Sequence, residues 1–262
     1  VKERDLDEFA SVFRRAVIPA IEVEKIRVDS ILLLLDGGPL TEPCTLAAQR
    51  LAARFGASVA SHTLDTPQTP AAELQGVIDA EEPSLIIAPE PFELVDALLI
   101  ATPLPTLLIR KPEVDSIFTR IVAKIPGGRH DLIEQFSIAF ALCRPGGHVR
   151  LLHIMEEQRL AELADILELA PSIDTEAGQE ELIAAAKTRM DHLLRGAVRT
   201  AKDAEFTVEA DLRVGDPFTI VPEVAGDASL LILGSQASHT DFLESRAYAL
   251  MKATPGVHVL AL

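Results

Sequence analysis

The stretch Ser229-Leu-Leu-Ile-Leu-Gly-Ser-Gln236 decides the fold. Leu230 to Leu233 is apolar at every position, and the run then breaks at once into glycine and small polar residues. A strand with no polar face belongs in a parallel sheet that is covered on both sides. Gly234 falls at its C-terminal end, where open α/β sheets bind ligands in the crevice beyond the strands.

The same grammar recurs along the chain. Upstream of any strand, Leu6, Phe9, Val12, Phe13 and Val17 recur at helical spacing until Pro19. Strands are predicted at Ser30–Leu35, Ala57–Leu64, Ser84–Ala88 and Thr106–Ile109, with helices at Leu40–Phe55, Ala71–Ala80 and Phe92–Ala101 between them. The pattern then restarts. Strands are predicted at Thr119–Ile125, His148–Ile154, Glu205–Val214, Leu230–Leu233 and Val257–Leu262. Helices are predicted at Leu132–Cys143, through an acidic region from Glu156 to about Lys202, after Gly215-Asp-Pro217, and at Asp241–Ala253. Gly56 is a helix stop and Pro217 takes a favoured first-turn position. Alternating β and α elements imply a parallel sheet with right-handed crossovers.

Composition narrows the class. The 262 residues are 48% hydrophobic but only 4% aromatic, so Ala, Leu, Ile and Val do the packing. A net charge of −16 repels phosphate backbones and anionic membranes, which argues against nucleic-acid binding. No apolar run approaches the roughly 18–20 residues of a membrane span, so no direct membrane insertion is expected. Cys44 and Cys143 lie far apart and form no CxxC, which fits a reducing cytoplasmic setting. The seven histidines make no metal constellation; His148 and His153, at odd spacing on one strand, point to opposite faces.

The two halves also repeat each other. Ile31-Leu-Leu-Leu-Leu-Asp-Gly-Gly38 matches Ile121-Val-Ala-Lys-Ile-Pro-Gly-Gly128, and Ser84–Ala88 matches Ser229–Leu233. Ala101-Thr-Pro-Leu-Pro-Thr-Leu-Leu-Ile109 matches Ala253-Thr-Pro-Gly-Val-His-Val-Leu-Ala261. This divides the chain into a lead-in (1–28), a shortened module (29–112) and a complete module (116–262). The first module lacks the long helix and the strand that the second carries between residues 155 and 214.

At Val214-Gly-Asp-Pro217, Leu230–Ser235 and Ala253–Leu260 the chain resembles the universal stress protein family. The resemblance implies an α/β fold of two Rossmann-like (HUP-type) parallel-sheet modules with strand order 3-2-1-4-5 in a pseudo-two-fold arrangement. It implies that the last strands, Thr106–Ile109 and Val257–Leu262, self-associate antiparallel, and it makes a homodimer of whole chains a further partner expectation. ATP-binding members of the family carry a glycine loop after the fourth strand, then Gly-Ser or Gly-Thr at the next helix. An acidic residue after the first strand holds the nucleoside.

By that motif the candidate site residues for ATP or AMP are Asp36, Gly37, Gly127, Gly128, Gly234, Ser235 and Ser245. Glycines let a backbone approach phosphates, and a helix start offers unpaired N–H groups. The chain departs from the motif, however. Ala237 stands at the second glycine, Glu244 precedes Ser245 where glycine is expected, Ala88-Pro-Glu-Pro91 replaces the loop of the first module, and Pro126 follows the first strand of the second. The expectation is therefore a non-catalytic tandem stress protein with degenerate adenine-nucleotide sites, acting by ligand sensing or protein interaction. Two alternatives stand beside it: the cytoplasmic regulatory domain of a membrane transporter of cation/proton antiporter or amino-acid transporter type, and an ATP-binding or ATP-hydrolysing stress protein. The non-Met start, the leading amphipathic helix and the shortened first module fit the transporter alternative.

Overall fold

The computed structural model describes residues 26–64, 71–90, 95–102, 104–125, 130–156, 201–234 and 246–262, together with 183–184, 187–188 and 198. The expected N-terminal helix and most of the acidic region after Glu156 lie outside the described residues.

The first half runs β1 (Ser30–Leu35), α1 (Thr41–Phe55), β2 (Ser58–Thr63), α2 (Ala71–Glu81), β3 (Leu85–Pro89), α3 (Val95–Ala101) and β4 (Thr106–Ile109). The second runs β5 (Arg120–Lys124), α4 (His130–Leu142), β6 (His148–Met155), β7 (Thr207–Val214), α5 (Pro217–Ala225), β8 (Leu230–Leu233), α6 (Arg246–Ala253) and β9 (His258–Ala261). The nine described strands form one sheet in the order β2-β1-β3-β4-β9-β8-β5-β6-β7. Every neighbouring pair is parallel except β4 and β9, which set Thr106, Leu107 and Leu108 against Ala261, Leu260 and Val259. The second half thus has the expected 3-2-1-4-5 order. The first has only its 2-1-4-5 part, because no described strand lies beyond β2.

Alternate residues of each strand feed two cores, one on either face of the sheet. Ile31, Leu33, Ile87, Ile121 and Ile232 pack under α1 and α4, against Ala47, Ala48, Phe136 and Ala139. Leu32, Leu34, Ile86, Leu231 and Val259 pack under α2, α3, α5 and α6, against Leu74, Leu98, Val221 and Leu250. Burial on both faces is why these strands read as continuous apolar runs. Helix ends follow local chemistry. Gly56 closes α1 in the left-handed region at φ 72°, and Asp216 caps α5 by accepting from Phe218 N–H at 3.2 Å just ahead of Pro217.

The repeat extends to registers and hydrogen bonds. Ser30 faces Ser58 on β2 and Ile31 faces Leu85 on β3; the matching Arg120 and Ile121 face His148 and Leu230. The matched serines act alike. Ser84 Oγ accepts from Ser30 N–H at 3.0 Å, and Ser229 Oγ accepts from Arg120 N–H at 2.9 Å. Each hydroxyl pins the entry of its central strand.

Candidate functional site

In each half the crossovers change face beside the central strand, so a crevice opens between β1 and β3 and another between β5 and β8. These two places are where a sheet of this kind would hold a small ligand.

The first crevice begins with Asp36, directly after β1. Its Oδ1 accepts from Gly38 N–H at 2.8 Å, and Gly37 takes φ 71°, a conformation that favours glycine. Asp36 and Gly37 therefore stand together at the crevice, with the carboxylate already holding its own turn. Across from them Glu90 follows β3. Arg110, one residue beyond β4 and with its side chain only 6% exposed, grips Glu90 with a fork, Nε to Oε2 at 2.7 Å and Nη2 to Oε1 at 2.9 Å. The same guanidinium donates to Thr254 O at 2.6 Å and Met251 O at 3.0 Å at the end of α6. Such a bidentate pair fixes both side chains. Glu90 and Arg110 line a shallow cleft of about 230 Å³ with Lys252, Pro255 and Gly256. Nearby, Tyr248 Oη donates to Asp96 at 2.8 Å, and Lys252 lies 3.5 Å from the same carboxylate. Contacts between α3 and α6 thus close the junction of the two halves.

The second crevice is filled from within. Gln135 on α4 is 3% exposed and lies between the ends of β5 and β8. Its amide donates to Lys124 O at 2.7 Å and accepts from Gly234 N–H at 3.0 Å. A Cβ at position 234 would overlap the Gln135 amide and come within 2.8 Å of its Cδ. Gly234 is therefore glycine for the sake of Gln135, and its N–H is engaged. Gly127, Gly128, Ser235 and Ser245, named with it from the motif, lie outside the described residues.

Sequence reasoning missed Gln135 and the Glu90–Arg110 clasp. A signal for the first existed: Gln135 sits on the buried stripe of α4 with Ala139 and Leu142, where an apolar residue is the rule. A polar residue there needs a partner. Arg110 carried no such signal, because its partners are far away in the chain.

The described cysteines and His258 serve the frame. Burial pushes the Cys44 thiol up to about 12, with Asp36 adding to the rise. Burial likewise pushes Cys143 up to about 11, against the pull of Arg54 and Arg144. Neither is an activated nucleophile. His258 is fully buried; its Nδ1 accepts from Arg110 N–H at 3.2 Å and its Nε2 donates to Glu113 O at 3.3 Å. Burial holds it neutral, with a pKa near 4. His62 pairs with Glu81 at 2.9 Å, and no cluster of three metal-ligating side chains occurs among the described residues. No helix among them is long and apolar enough to cross a membrane.

This is a Rossmann-type α/β protein whose sheet continues through two repeated halves. Its fold is that of the universal stress proteins. The crystal structure of a universal stress protein from Archaeoglobus fulgidus DSM 4304 superposes over 90% of this chain and 97% of its own, with a TM-score of 0.52 and 12% identity. The hypothetical protein MJ0577, the subject of a structure-based assignment of biochemical function, is similar over 56% of this chain and 96% of its own (TM-score 0.42, 17% identity). The hypothetical protein PH0823 covers 55% of this chain and 95% of its own (TM-score 0.37, 21% identity). No protein-family model matches the sequence, and no curated protein is similar to it.

Proposed function

We propose that this chain is a tandem universal stress protein of non-catalytic, regulatory type, whose two adenine-nucleotide sites are degenerate. The observation that carries the reading is Gln135, which fills the second crevice and engages the Gly234 N–H that a phosphate would need. The first crevice supports it. Glu90 stands where the family places a glycine loop, so a side chain clasped by Arg110 replaces backbone that phosphates could approach.

The tandem part of the reading rests on the repeat and on the register where the halves meet. Aligned through Ala-Thr-Pro, Thr106 matches His258 and Ile109 matches Ala261. Exchanging the halves then turns the Leu107–Leu260 pair into the Leu108–Val259 pair, as a pseudo-two-fold requires. β4 and β9 each have a strand on both sides, which supports the reading that the terminal strands associate inside one chain. A homodimer would have to use another surface.

The test is equilibrium binding of ATP and AMP to the full chain, followed by the melting temperature. Ligands that bind the native state raise it by mass action. Neither nucleotide is expected to raise it at millimolar concentration, and none is expected in the supernatant of the denatured, purified protein. A saturable rise that survives in the Arg144→Gln variant described below would overturn the reading.

A further inference from the structure

The halves meet a second time, on the α1 and α4 side of the sheet. There a cleft of about 440 Å³ opens between α1, the connection from Arg110 to Thr119 and the turn after α4. Its floor is apolar, formed by the buried Leu51, Val114 and Phe118. Its rim is cationic. Arg50 and Arg54 come from α1, and Arg144 comes from the turn that follows α4.

Arg54 and Arg144 occupy matching positions in the repeat, each two residues before a left-handed glycine, Gly56 at φ 72° and Gly146 at φ 74°. Each half thus contributes the same arginine to one cleft. Arg54 donates to Leu142 O at 2.8 Å and Cys143 O at 2.6 Å. Arg50 donates to Val114 O at 2.9 Å and pairs closely with Asp115. Among the described hydrogen bonds, the Arg144 side chain makes one, to Asp115 O at 3.5 Å. Asp115 is the one carboxylate among the described lining residues, and its side chain is 85% exposed.

Among the described lining residues, three guanidiniums face one solvated carboxylate, an unusual concentration in a chain of net charge −16. Among the described hydrogen bonds Arg54 donates to uncharged carbonyl oxygens, which leave its charge uncompensated, and burial lowers its pKa, so that charge lies partly out of water. Guanidinium forks match phosphate and carboxylate oxygens in geometry and in charge. The cleft's size falls within the ~300–1,000 Å³ of small-molecule sites, and its floor offers an apolar seat.

We propose that this cleft binds a small organic anion, with a phosphate or carboxylate head held by Arg54 and Arg144 and an apolar body over Leu51 and Phe118. The site is independent of the two crevices. Occupancy would tie the halves together, since its ligands come from both.

Phenyl phosphate, benzoate, inorganic phosphate and benzyl alcohol, each titrated into the full chain at matched ionic strength, separate head from body. Phenyl phosphate or benzoate is expected to raise the melting temperature saturably, and whichever binds tighter identifies the head. Inorganic phosphate is expected to bind at least roughly tenfold more weakly than the better of the two, and benzyl alcohol not at all. Arg144→Gln removes a side chain with one long described hydrogen bond and should weaken binding by roughly tenfold or more. Arg54→Lys keeps the charge but loses the fork, and should weaken it similarly while the protein stays folded. The proposal is overturned if neither organic anion shifts the melting temperature beyond matched KCl, if both variants bind as the parent does, or if inorganic phosphate binds as tightly as phenyl phosphate. A nucleotide effect abolished by Arg144→Gln belongs to this cleft; one that persists belongs to the crevices.

Discussion

The two crevices share a frame and differ in what fills them. In both, a central strand is flanked by its neighbours in the same register and pinned by a matching serine, Ser84 or Ser229. The first crevice is then closed by charge, through the Glu90–Arg110 clasp, which also reaches carbonyls of the other half. The second is closed by a neutral amide, Gln135, which bonds Lys124 O and Gly234 N–H within its own half. The sheet depends on apolar strands and registers, and a crevice can change its polar contents without disturbing them. Among the described contacts, only the first crevice is wired to the junction.

The largest expected effect follows from that wiring. Arg110→Met keeps an apolar stem but leaves Glu90 without its cation and two carbonyls of α6 without a donor. Breaking such a pair should cost about 3–5 kcal/mol in urea unfolding. Adding Glu90→Gln should restore at least half of the loss, because no unpaired charge then remains. Gln135→Leu, the matching lesion in the second crevice, removes the bonds that the amide makes to Gly234 N–H and Lys124 O and should cost about 1–3 kcal/mol. If Arg110→Met costs no more than Gln135→Leu, the contrast between a charged and a neutral closure fails.

The junction strands give a second contrast, this one in pH. Position 258 is histidine in the second half and the matching position is Thr106 in the first; both side chains are fully buried. His258 serves Arg110 N–H and Glu113 O only as the neutral ring. Burial first, then Lys111 and Arg110, press its pKa down to about 4, against the pull of the Glu113 carbonyl. The unfolded chain binds that proton near pH 6.5, the folded one only near 4. Stability contributed by the neutral ring is therefore present above pH 6.5 and lost as pH falls to about 4, by roughly 3 kcal/mol in all. His258→Thr, which installs the residue of the first half, should flatten this slope. Equal slopes for parent and variant between pH 7 and 4.5 would show that another group carries it.

Much of this frame was legible in the chain, and the reason is local. Thr106–Ile109 and Leu230–Leu233 fall where the apolar runs place them, since proline or glycine and polar neighbours bound each run. Gly56 and Asp216-Pro217 mark helix ends through their own backbone preferences. Ends without such markers shifted: α4 begins at His130 rather than Leu132, and β3 at Leu85 rather than Ser84, whose hydroxyl serves the neighbouring strand. The contents of the crevices were hidden because their contacts are distant. Arg110 meets residues 20, 141 and 144 positions away, and nothing near it in sequence records them. Gln135 was visible as a polar residue on an apolar stripe, but not its partners.

The finest contrast is between two glycines that the phosphate motif treats alike. Gly37 takes φ 71° with nothing within 4 Å of an added Cβ, so Gly37→Ala meets only left-handed strain, about 1–2 kcal/mol. Gly234 has no such φ and a different obstacle, the Gln135 amide, so Gly234→Ala should cost about 1–3 kcal/mol through overpacking and a displaced hydrogen bond. The magnitudes overlap, and a second substitution tells them apart. In a Gln135→Ala background the obstacle is gone, so Gly234→Ala should become nearly neutral while Gly37→Ala keeps its full cost. That non-additivity, read from urea midpoints of the single and double variants, measures the contact directly. Strict additivity at Gly234 would mean that its glycine is kept for some reason other than the amide beside it.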